Sequence, residues 1–356
     1  MAPKIHQVMA GYATGDATSG EAALFREIFR EWGLVSDIYA EPGSVSPDLR
    51  DDCLPLEALA AAPEDLLIHH YGIDSPALDL FLAAPGRKVM VYHNITPASF
   101  FRGFDDAVAG RLDSARRKIA GIGARVHAVW TDSAFNAREL AELGLRDARV
   151  LPLLFPWRAF DVAPEPDILA RFSGPLTNLL FVGRIAPNKR LENLIRAFAW
   201  YHKAINPFSR LILVGSLRSA PRYSLMLRML AGDLDLPNVC FEDFASAAGL
   251  PAYYRTAHAF VCTSEHEGYC LPLVEAMHHG VPVIARAVGG MPEAADGAGV
   301  LYEGAGEVEL AELIHRVCSD AALRAEIISA QRARIGRLRE RRPDRELRSL
   351  LAGFIG

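Results

Sequence analysis

Short apolar runs alternate along this chain with stretches of helical periodicity, in two successive series, and a parallel α/β architecture is what that order accommodates. The first series has runs at 5–9, 37–40, 66–69, 88–92, 128–131 and 150–154. The second has runs at 179–182, 211–214, 239–242, 260–263 and 281–285. The runs of the second series are apolar almost throughout, as expected where helices cover both faces of a sheet. Between runs, the clearest helical pattern puts Leu24, Phe25, Ile28, Phe29 and Trp32 on one face and stops at Gly33, which suits a helix C-terminus.

The 356 residues suit two doubly wound domains. The first is expected over 1–154 and the second over 175–335. The stretch 155–174 carries Pro156, Pro164, Pro166, Glu165 and Asp167 and reads as a linker. A helical tail over 336–356, basic around 332–345, is expected to pack back on the first domain. Two such halves facing each other imply a cleft, and open parallel sheets take ligands at the carboxyl ends of their strands.

A net charge of −5 argues against a general nucleic-acid binder, which needs basic excess to neutralise phosphates. No stretch reads as a signal peptide or approaches the roughly 20 apolar residues that span a bilayer. The five cysteines form no CxxC pair. Cys262 and Cys270 therefore read as small buried hydrophobes rather than metal ligands, and a reducing, cytoplasmic setting fits.

Two segments carry charge where a parallel sheet would bind a ligand. In Ser264-Glu265-His266-Glu267-Gly268-Tyr269-Cys270-Leu271-Pro272-Leu273-Val274-Glu275 a strand ends, a turn follows, and Pro272 opens a helix. Glu275 is expected in the first turn, where the helix dipole favours its ionised form and its two oxygens can accept from both hydroxyls of a ribose. Glu267 and Gly268 lie in the preceding loop, where glycine permits close backbone approach. The structural alternative is a well-capped helix with two incidental carboxylates. In Phe181-Val182-Gly183-Arg184-Ile185-Ala186-Pro187-Asn188-Lys189-Arg190, Arg184 can fork two hydrogen bonds to a phosphate and Lys189 adds a compact charge. Taken alone, such a pair is more often a solvated loop.

Together with Ala287-Val288-Gly289-Gly290-Met291-Pro292-Glu293, these strings resemble glycosyltransferase family 4, densely from about 179 to 301 and more loosely before. The resemblance implies the GT-B fold, two Rossmann-like domains, and transfer of a sugar from a nucleotide donor with retention of configuration. It implies that Arg184 and Lys189 hold the donor diphosphate, beside Gly183, and that Glu275 holds the ribose. Glu267 would contact the donor sugar with the amides of Gly268, Tyr269, Cys270 and Leu271. Phe244 would fall in the segment that receives the base. Tyr269-Cys270 departs from the commoner Phe-Gly of the family. His93 follows the run 88–92, where the family often places an active-site histidine, so the catalytic set implied is His93, Arg184, Lys189 and Glu267. His69 and His70 read as packing or acceptor-side residues. No metal is expected, Glu275, His278 and His279 included.

The loop 11–21 joins the first run to the first helix. Thr18 and Glu21 have capping-box spacing, while Gly15, Asp16 and Thr18 could instead receive an acceptor or a phosphate at the helix N-terminus. The dinucleotide pattern G-x-G-x-x-G is absent, which disfavours a nicotinamide enzyme. Arg116-Arg117-Lys118 reads as a solvated face, with an anionic membrane carrying a lipid-linked acceptor as the alternative. The expected partners are a nucleotide sugar (GDP-mannose first, a UDP-hexose second) and a glycan, lipid-linked or small-molecule hydroxyl acceptor, with no nucleic acid. A nucleotide-sugar epimerase and a catalytically silent nucleotide-sugar binder remain rival readings.

Overall fold

Each apolar series folds into a sheet of its own. The computed structural model describes residues 4–243 and 245–354. The first sheet contains β1 (Ile5–Met9), β2 (Ile38–Ala40), β3 (Leu54–Pro55), β4 (Leu66–Tyr71), β5 (Arg87–Tyr92), β6 (Ala128–Thr131) and β7 (Ala148–Val150), in the order β3-β2-β1-β4-β5-β6-β7. The second contains β8 (Thr177–Val182), β9 (Ser209–Val214), β10 (Val239–Glu242), β11 (Ala259–Cys262), β12 (Val283–Arg286) and β13 (Val300–Tyr302), in the order β10-β9-β8-β11-β12-β13. All strand pairs among the described residues are parallel. In each sheet the strand order reverses at the first strand, beside β1 and β4 in one and beside β8 and β11 in the other. Loops leaving a sheet at such a reversal diverge to opposite faces and leave a crevice.

The chain divides into two compact units. One comprises the described residues through Ser99, then Ala107–Pro156 and the chain from Arg342; the other comprises Phe100–Asp106 and Trp157–Arg341. The predicted linker 155–174 is instead mostly helical, with Trp157–Phe160 and Pro166–Phe172 inside the second unit. Pro166 sits in the first turn of its helix, where a missing amide hydrogen costs nothing, so the prolines start structure here rather than interrupt it.

Other boundaries differ as well. The predicted strand 150–154 is extended chain beyond β7, although Leu151, Leu153 and Leu154 are buried as their apolarity demands. The short edge strands β3 and β13 were not anticipated. The predicted tail 336–356 splits, because the helix Ala321–Arg339 belongs to the second unit. There its buried Gln331 donates to the Val281 carbonyl and accepts from the Val283 amide. The helix Pro343–Leu351 belongs to the first unit, where Leu347 and Leu351 enter a core with Ile5, Phe25, Phe29, Val89 and Trp130.

The basic stretches are largely paired. Arg334 and Arg337 reach Asp296, and Arg339 reaches Asp161. In the run at 116–118, Arg116 bonds Glu139 at 2.9 Å and Lys118 bonds Asp74 at 2.8 Å, while Arg117 is exposed. No helix among the described residues is long and apolar enough to cross a membrane.

The core position of Leu347 predicts that Leu347→Ala destabilises the first unit by about 2–5 kcal/mol, the usual cost of emptying a buried leucine site. Urea unfolding followed by tryptophan fluorescence, with Trp157 and Trp200 of the second unit replaced by Phe in both proteins, should show the lowered midpoint. An unchanged midpoint would mean that the helix contributes nothing to this core.

Candidate functional site

In the second unit the charged side chains are held by two loops that leave neighbouring strands, β8 and β11. Backbone contacts join the loops. The Glu265 amide donates to the Asn188 carbonyl at 2.9 Å, and Asn188 Nδ2 donates to the His266 carbonyl. Thr263 Oγ1 donates to the carbonyls of Lys189 and Arg190, each at 3.0 Å. Glu265 then binds two guanidinium groups, Arg190 at 2.7 Å and Arg286 at 2.8 Å.

This stitching brings Lys189 Nζ to 2.5 Å from Glu267 Oε1. Ser264 Oγ donates to the same oxygen at 2.8 Å. Both side chains of the ion pair are largely buried, and Glu267 Oε2 has no protein partner among the described residues. The Glu267 loop is seated by two glycines of the loop after β12. The Gly290 amide donates to the Glu267 carbonyl, and a Cβ at Gly290 would lie 2.0 Å from the Gly268 carbonyl oxygen. A Cβ at Gly289 would lie 2.2 Å from the Glu267 carbonyl oxygen, at a φ of +62° that already favours glycine. The Gly-Gly pair is therefore a steric requirement of the Glu267 backbone.

Arg184 follows Gly183 at the end of β8, is exposed, and has no ion-pair partner among the described residues. Tyr269 and Cys270 are buried, with Cys270 at a φ of +75° as N-cap of the helix Leu271–His278. Phe244 lies outside the described residues. Its neighbour Phe241 carries the Arg228 guanidinium 5.2 Å from its ring.

Glu275 corrects the reading of a dipole-favoured carboxylate. It is the fifth residue of its helix, beyond the first turn. Burial raises its pKa to about 7, against an opposing hydrogen bond from Tyr254, whose hydroxyl donates to Oε2 at 2.7 Å. Desolvation outweighs the dipole because the side chain leaves water almost completely. Oε1 makes no hydrogen bond among the described residues.

The structure also brings Cys262, at the end of β11, together with Cys270. The two sulfurs and a Glu267 carboxylate oxygen all lie within 4.8 Å of one another. Cys262 Sγ is 3.3 Å from Ser264 Oγ and 3.7 Å from Met291 Sδ. The thiols are buried, as expected, but they are neighbours rather than isolated.

In the first unit, the ends of β4, β5 and β6 converge on a hydrogen-bonded chain. Gln7 Nε2 donates to the Ala22 carbonyl at 2.9 Å, so its Oε1 faces His70 Nε2 at 2.8 Å. His70 Nε2 must then carry the proton, and His70 Nδ1 accepts from His93 Nε2 at 2.8 Å. His93 Nδ1 lies 3.1 Å from Asp132 Oδ2, a carboxylate that accepts. His93 is thereby protonated on both nitrogens. Burial would lower its pKa, but the Asp132 carboxylate, supported by Glu21 and Asp16, carries it up to about 9. His70 is pushed well below its ordinary value, first by burial and then by the charge on His93. His69 bonds the Val8 carbonyl and stacks on Phe81, a packing role. Asp132 escaped the sequence reading because β5 and β6 are far apart in the chain; its signal is a carboxylate directly after a strand.

The loop 11–21 is capped differently from its predicted spacing. Asp16 is the N-cap of the helix Ala17–Glu31 and accepts from the Ser19 amide and hydroxyl at 3.0 and 2.9 Å. Thr18 lies inside the helix. Glu21 instead accepts from the Leu154 amide at 3.1 Å. Gly15 is exposed beside Asp16, and of the amides at this helix start the Ser19 amide is taken by the Asp16 carboxylate.

Residues 172–334 match the family model described as Glycosyl transferases group 1. The D-inositol 3-phosphate glycosyltransferase of Nocardiopsis dassonvillei is 35% identical over 207 residues, 55% of this chain and 48% of that protein. The enzyme of the same name from Acidothermus cellulolyticus is 34% identical over 225 residues, 59% of this chain and 48% of its own. The chain thus spans about half the length of these curated relatives. Among solved structures, Anabaena HepE in complex with UDP and glucose superposes with a TM-score of 0.77 at 18% identity, over 99% of this chain and 100% of that one. Sucrose-phosphate synthase from Thermosynechococcus elongatus gives 0.74 at 20% identity, over 95% of both chains. These likenesses show the fold, which is GT-B.

The hydrogen-bonded chain predicts a charged His93 in solution. Its ring resonances should titrate near 9, and about 1–3 pH units lower in Asp132→Asn, the usual effect of removing an adjacent opposite charge. Because the folded value exceeds the ordinary 6.5, the stabilisation is complete below pH 6.5 and is lost as pH rises through 9. Asp132→Asn should flatten that fall in thermal stability, and an unmoved His93 titration would refute the assignment.

Proposed function

We propose, on the premise that residues 172–334 are a group 1 glycosyltransferase domain, that the chain transfers a hexose from a nucleoside diphosphate to an acceptor hydroxyl with retention of anomeric configuration. The observation that carries this reading is the arrangement at the reversal of the second sheet. Arg184, with no ion-pair partner among the described residues, stands at the end of β8, and Lys189 and Glu267 are locked together between the loops after β8 and β11. A diphosphate is the ligand that gives an unpaired guanidinium and an adjacent ammonium a common partner.

In this mechanism Arg184 and Lys189 neutralise the diphosphate as charge builds on it. The anomeric carbon–oxygen bond to phosphate breaks, and a bond to the acceptor oxygen forms on the same face. The acceptor proton passes to the departing phosphate oxygen, so no protein base is required. Glu267 stays fixed through Oε1 and offers Oε2 to sugar hydroxyls. Glu275 offers Oε1 to the ribose. Such preorganised charge costs no reorganisation during reaction. His93, with both nitrogens engaged, cannot take a proton. No step is assigned to a metal.

The donor class is a nucleoside diphosphate hexose, to be screened first with UDP-glucose and GDP-mannose. A UDP sugar gains support from HepE, solved with UDP and glucose. The acceptor class is a hydroxyl on a glycan, a lipid-linked glycan or a small polyol phosphate. The last gains support from the curated relatives named for D-inositol 3-phosphate.

Two measurements test the reading. Arg184→Ala should lower kcat/KM for the donor by roughly 10–100-fold while leaving the fold intact, as expected for loss of a charged hydrogen bond worth about 1.5–3 kcal/mol. Wild-type turnover in that variant would remove Arg184 from the site. The second measurement follows from Glu275, which titrates at about 7. Ribose hydroxyls donate to the ionised form, so nucleoside diphosphate affinity should rise about tenfold from pH 6 to 8 and level off. Calorimetry should lose this dependence in Glu275→Gln, and a pH-independent wild type would refute the ribose contact.

A further inference from the structure

The mechanism above leaves the thiol pair unused. Cys262 ends strand β11, Cys270 caps the next helix, and the seven residues between them fold so that both sulfurs face the carboxylate of Glu267. We propose that Cys262, Cys270 and Glu267 form a binding site for Zn2+, and that its occupancy blocks the donor site.

The ligand set has the right chemistry. Two thiolates and one carboxylate are zinc ligands, and three protein ligands leave a position for water. The three donor atoms lie within 4.8 Å of one another. Bond lengths of about 2.3 Å to sulfur and about 2.0–2.2 Å to oxygen require them to draw in by roughly 1 Å at most. Side-chain rotation at three residues supplies that. The charge also balances: Zn2+ with two thiolates and a carboxylate carries −1, and the Lys189 ammonium beside Glu267 brings the group to neutrality. Ser264 Oγ, whose one proton goes to Glu267 at 2.8 Å, is placed to orient that ligand.

Binding forms two zinc–sulfur bonds and one zinc–oxygen bond and releases the two thiol protons to solvent. It occupies the carboxylate assigned above to the donor sugar, so the inhibition rests on the proposed transfer, whereas the binding does not. A hard cation such as Mg2+ has no preference for these sulfurs and should not act here.

The test uses the full chain, reduced with a phosphine. Co2+ should bind one per chain, with a thiolate-to-metal charge-transfer band in the near ultraviolet, and Zn2+ should displace it. Zn2+ should also protect Cys262 and Cys270 from alkylation, read by peptide mass spectrometry without any variant. In donor turnover, micromolar Zn2+ should raise the apparent KM for donor, and a chelator should reverse it. Cys262→Ser should keep its turnover and need at least about 10–100-fold more Zn2+, since losing even an outer-shell partner of a metal ligand costs that much. A wild type with no thiolate band and no protection of its cysteines would overturn the proposal, as would equal Zn2+ sensitivity in Cys262→Ser. Thiolate-bound Co2+ in a chain that turns over no nucleotide sugar would uphold the metal site and sink the transfer reading instead.

Discussion

The contact between Lys189 and Glu267 is the point on which the second unit's chemistry depends. Each residue sits on a loop that leaves an adjacent strand, and neither loop would hold its charged side chain in a largely buried place without the other. Removing one partner would leave a charge stranded away from water, an outcome several kcal/mol worse than the pair. The surrounding bonds from Thr263, Ser264 and Asn188 serve to hold that register. On the proposed reading, a diphosphate would share the Lys189 ammonium with Glu267 rather than displace it. Arg184, exposed at the end of the neighbouring strand β8, has no ion-pair partner among the described residues.

The two units solve one structural problem with opposite electrostatics. Both sheets reverse their strand order at the first strand, and both collect charged groups where strands end. In the second unit a cation and an anion neutralise each other beside a free guanidinium. In the first, a chain of fixed hydrogen bonds beginning at the Ala22 carbonyl leaves His93 no choice but to be positive. The proton is held there by acceptor geometry together with the negative charge of Asp132, with Gln7 oriented by a backbone carbonyl on one side and Asp132 on the other.

The fold was largely legible because strands covered on both faces are written as continuous apolar runs. What failed was local. Leu151, Leu153 and Leu154 are as buried as strand residues but make an extended connection, and apolarity alone cannot distinguish the two. Pro166 was read as an interruption when it begins a helix. Edge strands β3 and β13 are too short and too open to show a pattern. Of the candidate site, the strand-end setting marks the loops carrying Arg184, Lys189 and Glu267, only the family resemblance gives them roles, and the structure brings Lys189 and Glu267 into contact. The charge state of Glu275 was misjudged because helix position was weighed and burial was not. Asp132 and the Cys262–Cys270 contact stayed hidden because each depends on which segments become neighbours.

The helix Pro343–Leu351 gives the chain an unusual order of completion. Its leucines finish a core begun by Ile5 and Phe25, yet they follow every residue of the second unit. During synthesis the first unit therefore leaves the ribosome with an open apolar face and must wait for the whole of the second before that face is covered. The continuous stretch Trp157–Arg341 has no such wait. The half made later can settle first, and the half made earlier is the one a chaperone would have to shield.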